Sequence, residues 1–185
     1  GAADHGASAA TIDKIWTMIM SFAGYSFCKP HSASYAQVSF KSAYLRAHYP
    51  AEFMAAVLSN GGGFYSAFAY LSEARRMGLA ILPPDVNASD WAYSGEGDRL
   101  RVGLMQVKTI AKTLATTIVA ERAQSGLYRS FQDFLGRVNP ESAHVRALVR
   151  AGCCDSLSGE LTRPALLLRL YAGLYPGSGP LALHD

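Results

Sequence analysis

Apolar side chains recur at helical spacing along most of this chain and alternate only briefly. Ile12, Ile15, Trp16, Ile19, Met20 and Phe22 mark one face of a first helix over residues 11–23. Ser8 or Thr11 is its candidate cap and Gly24 its stop. Tyr35, Val38, Ala43, Tyr44, Leu45 and Ala47 predict a longer helix over 32–48, closed by Pro50. Pro30 stands at or just before its start, where a fixed φ is useful and a missing N–H is harmless. Further helices are expected over 51–59, 67–77, 107–123, 130–138, 140–151 and 162–174. Arg75 and Arg76 complement the dipole of the 67–77 helix and Gly78 closes it. Ala80-Ile81-Leu82 before Pro83-Pro84 reads as a short strand. Residues 91–93 and 100–102 read as a hairpin across 94–98, with Gly95 and Gly97 in the turn. The end of the chain, from Gly177 on, has the composition of a frayed tail.

The fold class is therefore mainly α, with a short β-hairpin. A composition shift near Pro83 to Ser89 divides it into a helical subdomain over 1–84 and a smaller helical one over 85–160. A C-terminal helix and tail follow over 161–185. No repeat of 20–50 residues is visible.

Composition adds limits more than direction. At 185 residues, half of them hydrophobic and 17% charged, the chain has enough apolar surface for a real core. Its formal charge of +3 is compatible with nucleic acid without demanding it. Cys28, Cys153 and Cys154 are odd in number and form no CxxC pair, which argues against a disulfide framework or a zinc site. His5, His31, His48, His144 and His184 are scattered, so no metal ligands are expected. No apolar run is long enough for a membrane and the start lacks a signal-peptide pattern, which fits a reducing cytoplasm. The chain begins at Gly1 without a methionine and reads as a piece of a longer polypeptide.

The candidate chemistry gathers at Lys29-Pro30-His31-Ser32-Ala33-Ser34-Tyr35. A lysine at a helix mouth, beside N–H groups that lack partners, suits an anion such as a phosphate. Tyr35 lies one turn beyond His31 and would share its face. By spacing alone, a serine cap with a surface lysine and a solvated histidine explains the string as well. His48, near a helix end, complements the dipole. Two further motifs are set aside. Gly61-Gly62-Gly63 is followed by no Gly-Lys-Ser/Thr, and Gln132-Asp133-Phe134-Leu135-Gly136 lacks the terminal aromatic of a clamp-binding peptide.

Phe22 through Ala36, continued by Tyr44-Leu45-Arg46-Ala47-His48-Tyr49-Pro50-Ala51-Glu52-Phe53-Met54-Ala55-Ala56-Val57-Leu58, closely resembles the fingers region of the bacterial DNA polymerase III alpha subunit, a family C polymerase. Arg76-Met77-Gly78-Leu79 and Ile81-Leu82-Pro83-Pro84-Asp85-Val86-Asn87 extend the likeness, which spans roughly residues 12–157. The resemblance implies that Lys29, His31 and Ser32 touch the triphosphate of an incoming deoxynucleotide and that Tyr35 meets its base or sugar. It implies that 1–84 is fingers-like and that 85–160 is a helix-hairpin-helix region gripping primer–template duplex. The hairpin falls on Lys108-Thr109-Ile110-Ala111-Lys112, where the family usually has glycines that let backbone N–H groups approach phosphate. That departure puts the backbone grip in doubt and leaves Lys108 and Lys112 as the DNA-binding candidates. The second hairpin candidate, Val145 to Asp155, has little positive charge at its start and reads as packing.

The same resemblance places the catalytic, Mg2+-binding aspartates of the parent polymerase in a palm domain outside this sequence, since Asp4 and Asp13 do not form an Asp-x-Asp pair. The expectation is a piece with no catalytic residue and no cofactor of its own, inactive alone, in the bacterial cytoplasm. Its partners would be DNA, dNTP and the palm, with any sliding clamp reached through parts outside the chain. Gly62-Gly63-Phe64-Tyr65-Ser66 and Phe27-Cys28-Lys29 lean toward the error-prone branch of the family. The alternative is a non-catalytic helical module that docks a partner through exposed aromatics such as Trp16, Tyr65 and Trp91.

Overall fold

The computed structural model describes residue 6 and residues 8–26 and 29–174, with the side chains of 22–30 left aside. The chain divides into two compact units, residues 1–45 and 46–185. As the sequence predicts, the fold is mainly helical with one small sheet.

The first unit holds helix α1, Ala9–Ser26, and most of α2, Lys29–His48, which runs on into the second unit. Ser8 is the cap of α1, because its Oγ accepts the N–H of Thr11 at 3.2 Å. Gly24 does not stop α1, which continues to Ser26, and α2 begins three residues earlier than the pattern suggested. No side chain described in residues 8–45 is buried. Trp16 and Phe40 are 62% and 78% exposed.

The second unit is built around two buried clusters. Helix α3, Pro50–Ser59, starts with proline in its first turn and Glu52 near its positive end. Helix α4, Ala67–Arg76, is capped by Ser66, whose Oγ accepts the N–H of Ala69. These helices cover a three-stranded sheet ordered β1-β3-β2, from Ala80–Leu82, Arg99–Arg101 and Ser94–Glu96. β3 pairs in parallel with β1, Ile81 opposite Leu100, and antiparallel with β2, Gly95 opposite Leu100. The expected hairpin is therefore present, but its first strand lies three residues further on. Gly97, at φ +59, makes the turn, whereas Gly95 serves another purpose. A Cβ there would stand 2.2 Å from the Ala51 carbonyl, so the missing side chain lets α3 lie directly on the strand. Ala51, Met54, Ala55, Leu58, Ala74, Leu79, Tyr93 and Leu100 form this first cluster.

The second cluster draws on Val86, Leu104 and the helices α5 (Lys112–Ser125), α6 (Phe131–Val138), α7 (Ser142–Arg150) and α8 (Arg163–Tyr171). Residues 85–90 are tied to it by polar contacts. Ser89, fully buried, donates to the Val102 carbonyl and accepts the Asp85 N–H. Asn87 exchanges two hydrogen bonds with the Tyr128 backbone, at 2.8 and 2.9 Å. Arg122, 14% exposed, donates to the carbonyls of Val86 and Ser89 and pairs with Asp90. Arg137 does the same for the α5–α6 junction. It donates to the carbonyls of Glu121 and Gly126, pairs with Glu121 and Asp133, and lies 4.4 Å over the Tyr128 ring. Half-buried guanidinium groups of this kind hold loops through several carbonyls at once.

Candidate nucleic-acid interface

The segment between the β3 strand and α5 alternates anchors with exposed polar groups. Leu104, Val107, Ile110, Ala115 and Ile118 are buried in the second cluster, while Lys108, Thr109, Ala111, Lys112 and Thr113 face solvent. A single 3-10 turn, Leu104–Gln106, leads into a tight turn closed by the Ile110 N–H on the Val107 carbonyl at 3.2 Å. Its third residue, Thr109, has φ +73. That is a conformation for glycine, and a β-branched residue holds it only when its surroundings impose it. The helix expected from 107 therefore starts at Lys112, because Val107 and Ile110, three apart, fit a helix face and a turn equally well.

This answers part of the doubt raised by the missing glycines. The backbone makes the glycine-type turn with a threonine in place. Ala111, extended at ψ 154, supplies no side-chain cap, and no described acceptor meets the N–H groups of Lys112, Thr113 and Leu114. Thr116 and Thr117 turn their hydroxyls back onto the carbonyls of Lys112 and Thr113, away from those donors. The arrangement is a short turn, a helix mouth with open N–H groups, and two exposed lysines around it. Chemically it can hold an anion and nothing more reactive.

The second hairpin differs. Gly152, at φ +83, ends α7, and the N–H groups of Gly152, Cys153 and Asp155 donate to Val149, Leu148 and Gly152. A Cβ on Gly152 would stand 2.2 Å from the Arg163 guanidinium, which pairs with Asp155. Cys153 and Cys154 are fully buried; burial pushes the Cys153 thiol up to about 12 and Cys154 well above its ordinary value, so neither is a nucleophile at neutral pH. The hairpin packs, as its sequence suggests.

At the other candidate site, Lys29 opens α2, but its side chain lies outside the described residues. His31, Ser32 and Tyr35 are exposed in the first two turns, Tyr35 at 73%, and the first turn contains no acidic residue. His31 and Tyr35 stand four residues apart on one face. Among the aromatics, Trp16 and Tyr65 are exposed, whereas Trp91 packs against the second cluster. Among the described residues no group of three His, Cys, Asp or Glu side chains is placed to hold a metal ion, and no helix is long and apolar enough to cross a membrane.

The turn and its flanking helices define the class: residues 78–165 match the helix-hairpin-helix motif family. Relatives narrow it. The chain is 43% identical to the DNA polymerase III subunit alpha of Saccharopolyspora erythraea over 150 residues, 79% of this chain and 13% of that protein. It is 36% identical to the Thermus aquaticus subunit over 180 residues, 95% of this chain and 14% of that protein. It is also 36% identical to the error-prone DNA polymerase of Nocardia farcinica over 193 residues, 96% of this chain and 17% of that protein. The chain belongs to the DNA polymerase III alpha family, and it spans about a seventh of the length of these relatives. The Thermus aquaticus subunit and the Nocardia farcinica error-prone polymerase match at the same 36% identity.

Proposed function

We propose that this chain is the nucleotide- and duplex-handling part of a bacterial family C DNA polymerase. The observation that carries this reading is the turn at Lys108–Lys112. A threonine held at φ +73 and three N–H groups without described acceptors lie within the segment that matches the helix-hairpin-helix family. The open donors fix the register of a phosphate, and Lys108 and Lys112 add charge that carries no base preference. In the first unit, Lys29, His31 and Ser32 would meet the triphosphate and Tyr35 the base or sugar. Support comes from the family-like string at the start of a 20-residue helix with no carboxylate in its first turn.

On this reading residues 1–84 act as fingers and 85–160 as the duplex grip. The Mg2+-binding aspartates belong to a palm domain of the longer parent, the place of action is the bacterial cytoplasm, and any sliding clamp is reached outside this chain. The described residues offer no carboxylate cluster that fits Mg2+, so no chemical step is assigned to them. The chain alone extends no primer; extension without an added palm would overturn that assignment.

The test is fluorescence anisotropy of a labelled primer–template at two salt concentrations, with wild type, Lys29→Ala and Lys112→Ala. Salt-sensitive binding, weakened about three- to tenfold by Lys112→Ala, is expected. A partner-docking module is the second reading, favoured by the exposure of Trp16, Phe40 and Tyr65. It is preferred if Lys29→Ala and His31→Ala leave DNA and nucleotide binding untouched.

A further inference from the structure

A groove of about 440 Å3 runs between the first hairpin and the end of α7. Lys108 and Thr109 form one wall; Ala147, Arg150 and Ala151 form the other. No acidic residue lines it. Arg150 is exposed and has no ion pair among the described residues. This sets it apart from Arg122, Arg137 and Arg163, which are all held by carboxylates. Arg146, one turn earlier on the same helix, lies over the Tyr171 ring at 6.0 Å. Two cations from different elements, neither in an ion pair among the described residues, thus line one cleft together with Gln106, Val107 and two alanines.

At the second hairpin the N–H groups of Gly152, Cys153 and Asp155 are bonded internally. Its only charged group toward the groove is the Arg150 side chain. A guanidinium presents paired donors to the oxygens of a phosphate, and a lysine opposite adds a point charge. We propose that Lys108 and Arg150 clamp one backbone phosphate of duplex DNA in this groove, so that the second hairpin joins the grip through a side chain and the first through its turn. The proposal rests on the duplex-binding reading above. The ligand is a phosphodiester rather than a free phosphate, because the groove is an open channel continuous with the exposed turn, not an enclosed cavity.

The experiment measures anisotropy of a labelled duplex against the full 185-residue chain, for wild type, Lys108→Ala, Lys112→Ala, Arg150→Gln, Arg150→Lys and the Lys108→Ala/Arg150→Gln pair. Arg150→Gln should weaken binding about three- to tenfold and lower the salt slope by about one. Arg150→Lys should recover most of the loss. The double variant should lose less than the product of the single losses, since both side chains serve one phosphate. Because Arg150 is exposed, its variants should melt with the wild type, and a shared melting point removes misfolding as an explanation. If Arg150→Gln binds like wild type while Lys112→Ala is weakened, the clamp is wrong and the hairpin reading stands. If wild type fails to bind duplex, or no substitution matters, both fall. Competition by millimolar inorganic phosphate that disappears in Arg150→Gln would make this a free-phosphate site and overturn the phosphodiester assignment.

Discussion

The two N-terminal helices and the helix-hairpin-helix region were predicted from the same kind of apolar spacing, yet only the second buries its stripe. Trp16 and Phe40 stand 62% and 78% exposed, while Phe134 and Leu148 are fully enclosed. Periodicity reports that a helix has an apolar face; it does not report what that face meets. An isolated helix of about 20 residues is marginal in water. The described side chains of α1 and α2 are mostly exposed, whereas those of α5 to α8 meet in one buried cluster.

The contrast can be broken most sharply by truncation. Phe134→Ala should cost about 3–5 kcal/mol in urea denaturation, while Phe40→Ala should cost under about 0.5 kcal/mol. Equal losses would mean that the first unit has a core after all.

Acid should act on the second unit. Hydrogen bonds from Arg137, and then Ser125, hold Glu121 below its ordinary value; the Arg129 N–H, and then Arg137, do the same for Asp133. A carboxylate lowered on folding stabilises above its unfolded pKa, and that contribution is lost as pH falls through the folded value. Thermal midpoints taken from about pH 6 to about pH 3 should therefore fall at and below the ordinary carboxylate range. Arg137→Met should lower the midpoint at neutral pH and flatten the profile. An unchanged profile in that variant would remove Arg137 as the cause.

Two smaller effects sharpen the comparison within the second unit. Thr109→Gly should stabilise by about 1 kcal/mol by relieving the positive φ, less whatever chain entropy glycine adds; destabilisation on thermal melting would mean the threonine makes a contact that offsets its strain. Tyr93 is 6% exposed and its hydroxyl meets no hydrogen-bond partner among the described residues, with burial raising its pKa. Tyr93→Phe should be neutral or stabilising by up to about 1 kcal/mol. A clear loss would point to a partner for that hydroxyl.

Helices were legible because they repeat a pattern over ten or more residues, and Ser66, Ser130 and Thr162 cap them as their types suggest. Four things were not legible. The parallel pairing of β1 with β3 joins residues 19 apart, and three-residue strands carry no signal of partner or direction. Gly95 looked like a turn residue because close packing against Ala51 leaves the same trace in sequence. At the candidate site, the family resemblance puts a hairpin on Lys108 to Lys112, whereas apolar spacing alone reads a helix from Val107, since a threonine in a left-handed turn has no compositional mark. Arg150 was passed over because its segment was judged on the charge at its start, and only the fold brings its end to Lys108.

The turn at Thr109 also bears on how far this motif can travel. Its shape is imposed by Val107 and Ile110, fixed in a core assembled from α5 to α8, and is opposed by the threonine's own preference. A synthetic peptide covering residues 103–126 would relax out of it, and a loop graft into another scaffold would carry the letters without the geometry. The capacity to present those donors belongs to the whole second unit, and only indirectly to the residues that display them.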